Sequence, residues 1–214
     1  MSKNKLSFLN SKKALIINFT GDTEHWGCYG TSLEIYQTLI QNDYYIETIS
    51  VKTIHNLSPT IDSGKDLLNK KFFEIFYKKN KSICNSLSSS DDIYINGEGT
   101  LHGLKKGPLN LLYLIFIAKK IFNKNTFLIN FSIFPNDNLS SNLRSDSIYT
   151  YILKQVDRIC VRETISQNIL KKNNINSVLG FDCLPRFLFR HNLTNIHNPS
   201  GYVLIAGGVV LNEE

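Results

Sequence analysis

The feature that most narrows what this chain can become is an apolar run, Ala14 to Phe19, that stops at a glycine-rich polar segment from Gly21 to Thr31. The run has the length and β-branched content of a strand buried on both faces, the kind found in parallel sheets covered by two helical layers. Beyond the polar segment, Leu33, Ile35, Tyr36, Leu39 and Ile40 recur at helical spacing, with Thr31 or Ser32 as the expected helix N-cap. The first forty residues therefore read as strand, loop and helix.

The same unit recurs. Strands are predicted at Tyr45 to Val51, Asp92 to Asn96, Thr126 to Phe131, Arg158 to Val161 and Val178 to Phe181. Between them lie helical patterns at Asp66 to Tyr77, Leu109 to Phe122 (opened by Pro108), Ile148 to Gln155 and Thr164 to Lys172. Six strands alternating with helices predict an α/β fold, a Rossmann-like parallel sheet with helices on both faces. The expected organisation is a polar tail over 1–12, a Rossmann-like domain over 13–189 and an Asn/His/Pro-rich linker over 190–200. Residues 201–214 then read as the start of a truncated second domain, with strand Tyr202 to Ala206 entering Gly207-Gly208.

Composition excludes several classes. With 42% hydrophobic and 20% charged residues the chain is neither disordered nor fibrous. Its 24 Lys+Arg against 18 Asp+Glu give +6, which suits an anionic partner, but the basic residues are scattered pairs without interleaved aromatics, so no nucleic-acid surface is expected. Cys28, Cys84, Cys160 and Cys183 stand at irregular separations, which indicates neither a disulfide framework nor a zinc knuckle and fits a cytoplasmic protein. The longest apolar run, Leu109 to Ala118, is about half of the roughly 20 residues a membrane span needs.

Ligands of open parallel sheets collect at the strand carboxyl ends, where loops converge with helix N-termini. The first such loop places Gly21, Gly27 and Gly30 where backbone is expected to turn or approach a ligand, with Asp22 and His25 among them. Its spacing is not Gly-x-Gly-x-x-Gly and it lacks a Lys-Ser/Thr ending, so neither a dinucleotide nor a P-loop phosphate is expected. The second loop sets Glu98 and His102 among Gly97, Gly99, Thr100 and Gly103; these two side chains either move protons or, for Glu98, cap the loop backbone. A third offers Asn130 and Ser132 as hydrogen-bond partners for a sugar. Strand five ends on Arg162, which either grips a carboxylate or phosphate or pairs with Glu163 or Asp182. Asp182 either faces the same cleft or caps a turn before Pro185. No metal site is expected.

Taken in order, NFTGDTEHWGCYGTS, INGEGTLHG, INFSIFP, ICVRETIS and GFDCLPRFL resemble successive segments of the polysaccharide pyruvyl transferase family, over Lys13 to Leu188. The resemblance implies the N-terminal half of a glycosyltransferase-B-like two-domain enzyme. Such an enzyme moves a pyruvyl group from phosphoenolpyruvate to two sugar hydroxyls as a ketal, in bacterial capsule or other cell-surface polysaccharide synthesis. It implies no cofactor beyond phosphoenolpyruvate as donor substrate. The expected acceptor is a saccharide or lipid-linked saccharide, met in the cytoplasm or by peripheral association with the inner face of the membrane. On matching positions it makes Asp22, His25, Glu98 and His102 the candidates for sugar binding and proton transfer, and Arg162 the candidate for anion stabilisation. Gly21, Gly27, Thr31, Gly97, Gly99, Thr100, Asn130, Ser132 and Asp182 would line the substrate. Two alternatives stand beside it: a nucleotide-sugar glycosyltransferase, and a non-catalytic glycan-binding or remnant domain.

Overall fold

The computed structural model describes residues 11–133 and 146–193. The expected linker beyond 193, the strand at Tyr202 to Ala206, Gly207-Gly208 and Pro135 lie outside the described residues. In chain order the elements are β1 (Lys13–Phe19), α1 (Trp26–Gln41), β2 (Tyr45–Ser50), α2 (Val51–Asn56), α3 (Gly64–Leu67), α4 (Lys70–Lys79), α5 (Lys81–Ser89) and β3 (Asp92–Glu98). Then follow α6 (Lys106–Phe116), a π-helical turn (Ile117–Ile121), β4 (Asn125–Phe131), α7 (Asp146–Leu153), β5 (Arg158–Val161), α8 (Thr164–Lys172), β6 (Val178–Leu179) and α9 (Leu184–Arg190).

The six strands form one all-parallel sheet in the order β2-β1-β3-β4-β5-β6. The α/β, Rossmann-like expectation holds. The strand order reverses between β1 and β3. The chain leaves β1 toward β2, then crosses back through four helices to β3, so the connections diverge at the β1–β3 pair, the place where open parallel sheets bind ligands.

Alternate residues of β1 face opposite layers. Leu15 and Ile17 join the large core with α6, where every residue from Gly107 to Phe116 is buried, and with Phe76, Tyr149 and Leu170. Ala14 and Ile16 join a much smaller cluster with Ile35 and Leu39 of α1. Asn110, buried in α6, donates to the carbonyls of Ile54 and Leu57 and so ties α2 to the core.

Several boundaries differ from the expectations. Helix α1 begins at Trp26, capped by His25, whose Nδ1 accepts from the Cys28 N–H at 3.3 Å. Thr31 and Ser32 therefore lie inside the helix instead of capping it, and Gly27 and Gly30 are helical residues instead of turn residues. The misreading has a physical cause: an exposed neutral imidazole does here what Ser, Thr, Asp or Asn usually does. The helix expected at Asp66 to Tyr77 is broken at Leu68, and Asn69 caps α4 by accepting from the Phe72 N–H. Helix α8 begins at Thr164 as expected, with Glu163 at its N-cap position. Strand β6 stops at Leu179, and Leu184 to Arg190, where no helix was expected, is α9. Arg190, the residue at which the linker was expected to begin, belongs to that helix.

Helix α9 packs on α1. Gly30 makes this possible, because a Cβ there would lie 2.9 Å from the Leu184 side chain and 2.8 Å from the Phe187 ring. Across the same seam Glu34, 2% exposed, accepts two hydrogen bonds from Arg190 (Nε 2.8 Å, Nη2 2.7 Å) and a third contact from Arg186 Nε at 2.9 Å. Burial by itself raises the Glu34 carboxyl, but the hydrogen bonds and charge of Arg190, then Thr38 and Arg186, outweigh it and hold it below the usual carboxylate range. A depressed folded-state value adds stability above the ordinary carboxylate range that is lost as pH falls through the folded value. Glu34→Gln is thus expected to lower the melting temperature at pH 7, with the gap to the wild type closing as the pH is taken from about 5 down to about 3. A melting series showing a constant gap would refute this role.

Candidate active site at the strand carboxyl ends

Three strands carry the same dipeptide near their carboxyl ends, Ile17-Asn18, Ile95-Asn96 and Ile129-Asn130, and the three asparagines form a buried ladder across β1, β3 and β4. Asn18 Nδ2 donates to the Asn96 carbonyl at 2.7 Å and to Thr100 Oγ1 at 2.9 Å. Asn130 Nδ2 donates to Asn96 Oδ1 at 3.1 Å and its Oδ1 accepts from the Cys183 N–H. Asn18 and Asn130 have φ of 63° and 50°, and Glu98, next along β3, has φ of 41°. Asparagine tolerates the left-handed region; a glutamate there costs of order 1–3 kcal/mol. Among the described residues Glu98 is the only one other than Asn, Asp or Gly held at such a φ.

That strain aims the Glu98 carboxylate back over the sheet end. Its Oε1 accepts from Thr20 Oγ1 (2.7 Å), Asn96 Nδ2 (2.8 Å) and Thr31 Oγ1 (3.2 Å). Ser32 Oγ accepts from the Thr20 N–H and from Asn96, binding the first loop to the helix and to β3. Thr31 also back-bonds to the Cys28 carbonyl. Gly97, buried beside Glu98, leaves room for β4, since a Cβ there would stand 3.0 Å from Phe131 Cα and 2.8 Å from its Cβ.

Hydrogen bonds from Thr20 and Thr31 to Glu98, from the Ser132 N–H to the Glu98 carbonyl, and from Arg162 to Ser132 and Asp182 join the loops after β1, β3, β4, β5 and β6 in one neighbourhood, and Cys28 lies within it. Burial, then the charge and hydrogen bond of Glu98, push this thiol up to about 12. Burial and Asp182 likewise push Cys183 up to about 12. Both are thereby held protonated at neutral pH, which disfavours either as a thiolate nucleophile. Among the described residues no three His, Cys, Asp or Glu side chains are grouped to hold a metal ion.

Arg162 sits between two partners, donating from Nη1 to Asp182 Oδ2 (2.7 Å) and from Nε to Ser132 Oγ (2.7 Å). The Asp182 pairing is thus made, and Asp182 also takes the Leu184 N–H, capping the turn before Pro185. Ser132 Oγ donates in turn to Glu163, which also accepts from Ser166. Arg162 Nη2 has no partner among the described residues. His102 Nδ1 lies 2.7 Å from the Gly99 carbonyl; a carbonyl only accepts, so Nδ1 carries the proton and the lone pair of the neutral ring is on Nε2. Gly21 and Asp22 lie in a turn closed by the Thr23 N–H on the Thr20 carbonyl. Asp22 and His25 are exposed, and no hydrogen bond or ion pair among the described residues joins them to Glu98, His102 or Arg162.

The structure therefore joins Thr31, Gly97, Glu98, Thr100, Asn130, Ser132, Arg162 and Asp182 in one network and leaves Asp22 and His25 at its rim. Sequence reading passed over Asn18, Thr20, Ser32 and Asn96; the repeated Ile-Asn strand ending was the signal for two of them.

A parallel sheet whose strand order reverses between β1 and β3, with helices on both faces, defines the chain as an α/β, Rossmann-like domain. Residues 32–195 match the family model described as polysaccharide pyruvyl transferase, and the chain belongs to that family. The matched span contains Glu98, His102, Asn130, Ser132, Arg162 and Asp182, whereas Gly21, Asp22, His25, Gly27 and Thr31 precede it. Comparison with curated proteins returns no match. Among the described residues no helix is long and apolar enough to cross a membrane.

Two outcomes follow from this geometry. Gly97→Ala forces Phe131 and its backbone away and is expected to cost about 1–3 kcal/mol in urea unfolding; a change within experimental error would show that β4 can yield. Alkylation of Cys28 and Cys183 by iodoacetamide at pH 7.5, followed by mass spectrometry, should run at least about tenfold slower than alkylation of free cysteine. Rates equal to free cysteine would mean the thiols are not held protonated.

Proposed function

We propose that the protein transfers the pyruvyl group of phosphoenolpyruvate to two hydroxyls of one sugar, closing a cyclic ketal and releasing phosphate, in the synthesis of a bacterial cell-surface polysaccharide. The observation that carries the reading is the hydrogen-bonded run from Glu98 through Ser132 to Arg162 and Asp182 at the switch point of a chain in the pyruvyl transferase family. One sugar hydroxyl adds to the central carbon of the donor while a proton goes to its methylene carbon. The second hydroxyl then displaces phosphate from that central carbon and its proton leaves with the phosphate. Two O–H bonds, the carbon–carbon π bond and one C–O bond break; two C–O bonds, one C–H and one O–H form.

The chemistry asks for groups that carry protons and for a cation facing the donor's anionic groups. Glu98 and the Nε2 of His102 are assigned the proton transfers. Arg162 offers Nη2 to a donor carboxylate or phosphate oxygen, its other edge being held by Ser132 and Asp182. Thr31, Thr100, Asn130 and Ser132 spend their hydrogen bonds on the network, so their role is positioning, with Gly97 and Gly99 shaping the wall. Asp22 and His25, exposed on the rim with Gly21 and Gly27, are assigned to the acceptor, a saccharide that is free or lipid-linked and reached from the cytoplasmic side of the membrane. A second domain would supply the opposite wall.

The test is phosphate release by the purified protein with phosphoenolpyruvate and a panel of saccharides, expected only when both substrates are present. Glu98→Gln and His102→Gln should each lower kcat by about 10²–10⁴, and Arg162→Gln should act mainly on KM for phosphoenolpyruvate. Acceptor binding without turnover across the panel would replace this reading with a glycan-binding role. Competition by nucleoside diphosphates instead of phosphoenolpyruvate would replace it with a glycosyltransferase.

A further inference from the structure

The thinly covered face of the sheet holds a cavity that the proposed reaction does not use. It has a volume of about 450 Å³ and apolar walls: Ile35 and Leu39 of α1, Tyr94 of β3, Ile129 of β4, and Cys183 and Pro185 at the start of α9. Phe181, 91% exposed, stands at its mouth. The volume lies within the range of small-molecule pockets, and an exposed aromatic at such a mouth is surface that a ligand would cover.

The charges around it do not cancel. Glu34 is already held at both oxygens by Arg190, and Asp182 is paired with Arg162. Arg186 also lines the cavity and touches Glu34 only through Nε. Its side chain is 64% exposed and its two terminal nitrogens have no partner among the described residues. Three arginines thus face two carboxylates, and the surplus guanidinium edge is at the opening of an apolar space. Such a fork matches a phosphate or carboxylate, and the walls below it match hydrocarbon.

We propose that this cavity binds a small amphipathic anion, with its apolar body against Tyr94 and Ile129 and its head group on the terminal nitrogens of Arg186. The site borders the Glu98 and Arg162 network at Asp182, whose carboxylate is already paired with Arg162, and does not rest on the pyruvyl transfer reading.

Calorimetric titration of the purified protein with octyl phosphate, octanoate, octanol and inorganic phosphate tests it, each alkyl probe being kept below its micelle concentration. At least one of octyl phosphate and octanoate should bind about tenfold or more tighter than octanol and than inorganic phosphate, the comparison between the two telling a phosphate head from a carboxylate. Arg186→Gln, on an exposed side chain and checked for folding by circular dichroism, should erase that margin. Hydrogen exchange with the tighter probe bound should show protection in β3, β4 and α9. Equal binding of octanol, selectivity surviving in Arg186→Gln, protection elsewhere, or no binding would each overturn the proposal. So would a dimer seen by sedimentation that buries this face and excludes the probes. Because the readout is binding, a positive result beside a failed phosphate-release assay would sink only the function proposed above, and the reverse result only this one.

Discussion

The carboxamide of Asn96 is the joint on which the rest of the site depends. It is fully buried; its Oδ1 accepts from Asn130 on β4, and its Nδ2 donates to Ser32 on α1 and to Glu98. A buried amide with an unmet donor or acceptor costs about 1–3 kcal/mol, so the positions of β4, α1 and the Glu98 carboxylate are coupled through this one side chain. The first loop follows from the same joint. Ser32 holds the Thr20 N–H, and Thr20 and Thr31 close on Glu98.

Most of these groups satisfy one another, which preorganises the network; the exceptions are Asn18 Oδ1, buried and without a hydrogen bond among the described residues, and one edge of Arg162. That edge of Arg162 is its Nη2, which is unpartnered among the described residues while Nη1 and Nε are held by Asp182 and Ser132. Preorganised dipoles and charges do not have to reorient as charge develops on a substrate, which is how a static network contributes to catalysis. The strained backbone at Glu98 belongs to the same design: a relaxed strand would carry that carboxylate away from its three donors.

The two faces of the sheet differ for a reason that begins in the chain order. Four helices lie between β2 and β3 and pack with α6 on one face, whereas the other is covered by α1 and α9. A short helix cannot span four central strands, so Tyr94 and Ile129 remain half-buried beneath the apolar cavity. The salt-bridged seam at Glu34 holds α9 in place along one wall of that cavity.

Most of the fold was legible. The apolar runs of β1, β3, β4 and β5, the buried helix at Leu109 to Phe116 and the glycine-rich breaks between them are patterns in consecutive residues, and backbone periodicity acts over the same few residues. The loops that carry Glu98, His102 and Arg162 were legible for that reason too. What stayed hidden depends on contacts between residues far apart in the chain. The start of α1 turns on a histidine cap, and α9 on Gly30 and on two arginines that meet Glu34 more than 150 positions away.

By itself, then, the sequence determined an alternating α/β chain, the strand ends where ligands collect, and membership of its family. The tertiary structure decided which of those ends share a wall, that Arg162 is half engaged by Asp182, and that Asp22 and His25 stay on the rim. The physical reason is strand order. Placing β1 beside β3, and β3 beside β4, brings three asparagines and one strained glutamate into a single hydrogen-bonded layer, and no local pattern encodes which strands become neighbours.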